Sequence, residues 1–129
     1  MSEEGTSSHY PLANKPSASL ALLNDLKKYL ELETITSTTG QIWTTDAPYR
    51  ETHGKIKKYL AQGVNAVDME FTALLTVAEY RNVSLAAVMV VSDLLSGSSW
   101  VSGFSSKVFK KKCRAVAEAI FTSCLRGEL

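Results

Sequence analysis

Little in this chain is strongly biased, and each missing bias excludes something. There is no basic excess: 14 Lys and Arg stand against 13 Asp and Glu, for a formal charge of +1. A nucleic-acid surface needs a clear surplus of positive charge, so no nucleic-acid partner is expected. No run of about 18 apolar residues exists, so no membrane span or membrane partner is expected. The opening stretch MSEEGTSSHY is acidic and polar and lacks an apolar core, so it does not read as a secretory signal. Cysteine is scarce. Cys113 and Cys124 fall on one expected helix, where their spacing corresponds to roughly 16 Å, too far for a disulfide. They read as reduced thiols of a cytoplasmic protein. No further Cys or His stands at metal-ligand spacing, so no metal site is expected.

What is present suits one domain with a real core, since 45% of the 129 residues are hydrophobic. Residues 1–16 are polar, with Gly5, Pro11 and Pro16 as breakers, and read as a loop or frayed start; 17–129 read as the structured part. Ser17 is placed to cap a helix reaching about Leu30, with Leu20, Leu23, Leu26 and Leu30 on one side. Thr34 to about Thr44 is rich in β-branched residues and predicts a strand. A polar loop leads to a short helix over Lys55–Gln62, with Gly63 as its stop. Val64–Met69 predicts a strand and Glu70–Arg81 a helix. The run LAAVMVV, Leu85–Val91, suits a strand buried on both faces of a parallel sheet. A Ser- and Gly-rich loop is expected over 96–106. The last helix carries Phe109, Cys113, Val116, Ala117, Ile120, Phe121 and Cys124 at spacings of three and four. Alternating helices and strands predict an α/β fold with a mostly parallel or mixed sheet and flanking helices.

In such sheets ligands bind beyond the carboxyl ends of the strands. Two acidic groups fall at such ends: Asp68-Met69-Glu70 after the Val64 strand, and Ser92-Asp93 after the Leu85 strand. On pattern alone Glu70 also suits the start of a helix dipole, and Asp93 a turn or cap. Their shared placement predicts that Asp68, Glu70 and Asp93 meet at one end of the sheet. His9 and His53 read as solvated, Trp43 and Trp100 as packing residues, and Lys110-Lys111-Lys112 as the wet face of the last helix.

The stretch Gly63–Leu95, GVNAVDMEFTALLTVAEYRNVSLAAVMVVSDLL, resembles the signature region of the nucleoside phosphorylase and nucleosidase superfamily. That region has a Met-Glu helix start followed by an apolar strand ending in Ser-Asp. WTTDAPYRET (Trp43–Thr52) resembles the base-covering loop of the uridine phosphorylase-like branch, and EGTSSHY (Glu4–Tyr10) a segment near the phosphate site. The resemblance implies the carboxyl-terminal half of a phosphorylase-type three-layer α/β/α domain. Glu70 matches the glutamate that grips the ribose hydroxyls, and Met69 the methionine that packs on the sugar. Asp68 matches an acid at the base end. Asp93 matches the aspartate that hydrogen-bonds or protonates a purine at N7, with Ser92 beside it; Tyr49 and Arg50 lie in the loop over the base. Thr6 and Ser7 are the candidates for phosphate, and Lys107 the nearest candidate for a base that assists Asp93.

The implied reaction is phosphorolysis to free base and ribose 1-phosphate, with inorganic phosphate as cosubstrate and no metal or organic cofactor. Hydrolysis, or nucleoside binding without turnover, are the alternatives. Asp93 favours a purine and WTTDAPYRET favours uridine, so base choice stays open. Relatives begin earlier, with a glycine-rich loop and arginines that hold phosphate; the position expected for an arginine before Glu3 holds Ser2. The implied partners are nucleoside, phosphate, and either further copies of this chain or a chain supplying that missing half.

Overall fold

The computed structural model describes residues 1–96 and 99–127. Gly97 and Ser98, inside the loop expected over 96–106, and the last two residues lie outside the described residues. The fold is α/β, as expected. By contacts the chain divides into two compact units, Met1–Ala18 with Thr39–Leu85, and Ser19–Thr38 with Ala86–Leu129.

The first unit is built on a parallel sheet in the order β1 (Ser2–Glu3), β2 (Gln41–Thr45), β3 (Val64–Asp68). The expected loop over 1–16 is corrected at its start. Ser2 and Glu3 pair with Thr44 and Thr45, and Thr6–His9 form a 3-10 turn. The polar side chains have partners: Glu3 accepts hydrogen bonds from Lys55 Nζ and from the Tyr59 hydroxyl, each at 2.6 Å. β2 begins at Gln41 rather than Thr34, because Thr34 leaves the preceding helix with φ 57°, a left-handed turn no strand continues.

β2 is the middle strand, and Trp43, Thr44 and Thr45 are all buried. Consecutive buried residues mean both faces are covered. Helix α2 (His53–Leu60) supplies the crossover that parallel neighbours need. Gly63, at φ 81°, turns the chain from α2 into β3 in a conformation that only glycine adopts freely. Trp43, Tyr59 and Val64 form the core here, with Ile56 and Val67 packed against it. The rings of Trp43 and Tyr59 lie 4.6 Å apart. Helix α3 (Phe71–Tyr80) follows β3, and Tyr80 meets Tyr10 edge to face at 5.2 Å.

The Glu3–Tyr59 bond gives stability a defined pH dependence. The Lys55 ammonium and then the Tyr59 hydroxyl hold the Glu3 carboxyl below its ordinary 4.5, and the Glu3 carboxylate pushes Tyr59 up from 10.0 to about 12. A depressed acid stabilises the fold above pH 4.5, and that contribution is lost as pH falls through the folded value. A raised phenol stabilises the fold below pH 10, and that contribution is lost as pH rises through about 12. Urea midpoints should therefore fall at both extremes. Tyr59→Phe should flatten the alkaline limb between pH 10 and 12 and leave most of the acid limb, which Lys55 sustains. An unchanged alkaline limb in Tyr59→Phe would show that the bond does not form.

The second unit packs α1 (Leu20–Leu32) with α4 (Lys107–Arg126). Ser19, not Ser17, caps α1 by accepting from Leu22 N–H. Tyr29, Leu30 and Ala119 make the buried cluster, joined by Ile35 and Val88. The apolar positions of α4 spread over more than one face, and only one is covered. Ala119 and Ser123 are buried, whereas Ala117, Phe121 and Cys124 are exposed. Ala119 packs in the cluster with Tyr29 and Leu30, and the buried Ser123 hydroxyl donates back to the Ile120 carbonyl of its own helix. Both cysteines are free, and Lys110, Lys111 and Lys112 are exposed.

Two expectations fail in this unit. Part of the loop expected over 96–106 is an antiparallel pair, β4 (Asp93–Ser96) with β5 (Ser99–Ser102). The apolar run Leu85–Val91 takes no regular structure and joins no ladder among the described residues; Met89 and Val91 are 40% and 63% exposed. Hydrophobicity signals a tendency to be buried, but a strand exists only where a neighbour offers its backbone. Among the described residues no helix is long and apolar enough to cross a membrane.

Candidate functional site

The end of β3 is locked to its neighbour through one threonine. Register places Thr44 opposite Asp68. The Thr44 hydroxyl donates to Asp68 Oδ1 at 2.6 Å and accepts from the Thr72 N–H at 3.1 Å. Asp68 Oδ2 accepts from the N–H groups of Phe71 at 2.7 Å and Glu70 at 3.3 Å. Asp68 thus satisfies the open amides at the start of α3, which every helix leaves without internal partners. Its carboxylate is engaged on both oxygens.

Glu70, at the cap position of α3, is fixed through its backbone while its side chain is exposed. Among the described residues its carboxylate meets no partner. Met69, half-buried, stands between the two acids. The β3–α3 turn therefore holds one acid as its support and presents the other.

The second acid group belongs to the other unit. Asp93 opens β4, half-buried. Its Oδ1 accepts from the Ser92 hydroxyl at 2.5 Å and its Oδ2 from the Trp100 indole N–H at 2.7 Å. The expectation that Trp100 is a packing residue is corrected: it is 60% exposed. The pairing explains the contact. Asp93 faces Ser102 across the hairpin, and Trp100, two residues earlier on the same face, is its diagonal neighbour, within reach of a long side chain. Gly103 completes the arrangement. A Cβ there would collide with the Ser92 carbonyl oxygen, so the two backbones approach as closely as only glycine permits.

The remaining candidates are more dispersed. Tyr49 is 86% exposed in the 3-10 turn Pro48–Arg50, and Arg50 reaches back to Asp46 at 2.8 Å. Thr6 is exposed. Ser7 is spent internally: its hydroxyl bonds the Glu4 carboxylate and lies 2.8 Å from Thr76 Oγ1. Partial burial raises the Glu4 carboxyl, but bonds from Ser7, Ser2 and Thr72 outweigh it and hold Glu4 below its ordinary range. An anion sitting on Ser7 opposes an incoming phosphate, which leaves Thr6 the freer of the two. Lys107 is exposed at the first position of α4.

Comparison with known proteins gives this geometry a family. The model of the phosphorylase superfamily matches residues 1–126. The chain is 35% identical over 81 residues to a purine nucleoside phosphorylase of the DeoD type from Bacillus cereus (strain ZK / E33L), an overlap of 62% of this chain and 34% of that one. It is 29% identical over 104 residues to the protein of the same description from Exiguobacterium sibiricum, covering 80% of this chain and 44% of the relative. Among solved structures, an AMP nucleosidase from Bacteroides thetaiotaomicron VPI-5482 matches 98% of this chain and 50% of its own, with a TM-score of 0.59 at 22% identity. The chain thus spans between about a third and a half of the length of these relatives. The Met-Glu turn and the Ser-Asp turn lie inside the matched region, and the chain belongs to the phosphorylase superfamily of nucleoside phosphorylases and nucleosidases.

Proposed function

We propose that this chain carries the ribose- and base-recognising part of a nucleoside phosphorylase acting on a purine nucleoside, with uridine as the alternative substrate. The observation that carries the reading is the state of the two acids. Glu70 offers a carboxylate with no partner among the described residues, and Asp93 offers one held by two donors. In this reading Glu70 accepts hydrogen bonds from the ribose hydroxyls and Met69 packs on the sugar. Asp93 meets the purine at N7, and Tyr49 and Arg50 close over the base. A phosphate oxygen attacks the anomeric carbon, the glycosidic bond breaks, and its electron pair passes to the base, where Asp93, entering the step in its protonated form, gives N7 a proton and becomes the carboxylate that the Ser92 hydroxyl and Trp100 indole hold. Fixing the sugar by both hydroxyls holds the reacting atoms near attack geometry. The matched purine nucleoside phosphorylases support the choice of purine.

Phosphate is the part of the reaction this chain serves least. Arg50 is paired with Asp46, Arg114 with Glu118, and Ser7 with Glu4. In this reading a further polypeptide, a partner chain or another copy, brings the groups that hold phosphate. The test is inosine titration of the purified 129-residue chain, followed by hypoxanthine release with and without inorganic phosphate. Inosine should bind, and Glu70→Gln should weaken it. Turnover should be very slow, because each missing electrostatic donor typically costs ~10²–10³ in rate. Rapid phosphate-dependent release would show that the chain holds phosphate by itself. Release without phosphate would make it a hydrolytic nucleosidase. Failure to bind inosine would overturn the reading.

A further inference from the structure

We propose that Trp100 is a positioning residue for Asp93, fixing the plane in which its carboxylate meets the base. The inference rests on the reading of Asp93 as the base-side acid and adds the group that sets its orientation. A carboxylate on a short side chain turns easily, since its terminal torsion has broad wells. A single donor leaves that rotation largely open. Here the two oxygens have separate donors on opposite sides of the hairpin turn: the adjacent Ser92 hydroxyl on Oδ1 and the Trp100 indole on Oδ2, at 2.5 and 2.7 Å. Ser92 travels with Asp93 along the chain. Trp100 is anchored on β5, whose register against β4 is set by the Asp93–Ser102 and Leu95–Trp100 pairs. The indole therefore ties the acid to a second strand.

The exposure of Trp100 supports this role. An indole that is 60% exposed contributes little burial, so packing alone gives no reason for a tryptophan here. Its N–H, by contrast, is aligned on an anionic oxygen, the stronger class of hydrogen bond. At the open end of the same hairpin the backbone of Gly103 comes so near the Ser92 carbonyl that a Cβ would collide with it.

The test uses the full chain and two readouts. Trp43 and Trp100 are the only tryptophans, so the ¹H–¹⁵N spectrum holds two indole N–H signals, and Trp100→Phe assigns them. Asp93→Asn should shift the Trp100 signal and leave that of Trp43 in place. The second readout is inosine affinity by calorimetry for the wild type, Asp93→Asn, Trp100→Phe, their combination, and Trp100→Gln. Gln places an N–H donor the same number of bonds from Cβ as the indole nitrogen. Trp100→Phe should weaken inosine about 10-fold, the scale of a hydrogen bond to a charged group. The combined variant should bind no more weakly than Asp93→Asn alone, since coupled residues are not additive. Trp100→Gln should recover most of the loss. An unmoved indole signal, or wild-type affinity in Trp100→Phe while Asp93→Asn is impaired, would overturn the proposal and leave Asp93 its role. Wild-type affinity in Asp93→Asn would instead remove the base-side reading, and this inference with it, even where the indole signal moves.

Discussion

In an enzyme assembled from this chain and a phosphate-binding partner, Asp93→Asn is expected to slow phosphorolysis of inosine by about 10²- to 10⁴-fold, the usual range for a general acid. Asparagine keeps the size of the side chain and can still accept one of its two hydrogen bonds, so β4 and β5 should stay paired. What it cannot do is give a proton to the departing base. Uridine has no N7, so kcat/KM for uridine should fall much less. Glu70→Gln is the contrasting variant: it weakens the grip on the ribose hydroxyls, which both substrates share, and should impair both alike. The measurement is kcat/KM for inosine and uridine across the two variants. Equal losses on both substrates for Asp93→Asn would mean that Asp93 only organises the start of the hairpin, and the preference for a purine would go with it.

The largest expected loss of stability is at Trp43. Its side chain is 2% exposed, lies 4.6 Å from the Tyr59 ring and sits under the Lys55 ammonium at 5.8 Å. Truncation to alanine removes those contacts and leaves a cavity between β2 and α2, at a cost of about 3–5 kcal/mol. Against the roughly 5–15 kcal/mol that holds a typical domain together, this is a severe loss. Trp43→Phe should cost far less. It keeps an aromatic face against Tyr59 and removes an indole N–H that is buried without a partner among the described residues, a group that is costly to desolvate. Urea unfolding followed by far-ultraviolet circular dichroism separates the two. Equal midpoints for the alanine and phenylalanine variants would show that the cavity collapses.

These two residues also mark what could be read before the structure. Local features were legible. Spacing placed α1, α2, α3 and α4, and Gly63 marked the turn into β3, because these signals are written in neighbouring residues. Trp43 read correctly as core. Glu70 follows strand β3, as the strand-end reading requires; the apolar run predicts that Asp93 ends a strand over Leu85–Val91, and instead it opens β4, paired with β5 and not with the β1–β3 sheet. Features that depend on distant pairing were not legible. β1 is two polar residues, Ser2 and Glu3, that become a strand only beside Thr44 and Thr45. The capping work of Asp68 passes through Thr44, 24 residues away. Trp100 meets Asp93 only because one hairpin register makes them diagonal neighbours. The Ser and Gly content of that hairpin looked like a loop, since composition reports flexibility and says nothing of which backbone lies opposite.

The segment Leu85–Val91 bears on how the protein behaves at high concentration. LAAVMVV has seven residues without a charge, a proline or a glycine, the composition that stacks into the dry, interdigitated sheets of amyloid. In the folded chain it joins no ladder among the described residues, and Val91 is 63% exposed. Val88 packs on the Tyr29–Leu30 cluster, so the expected outcome is that fibrils appear when unfolding releases this segment, read by thioflavin fluorescence at rising urea. A lysine in place of Val91 would act as a gatekeeper against stacking, and would do so at an exposed position where the fold loses little by the change.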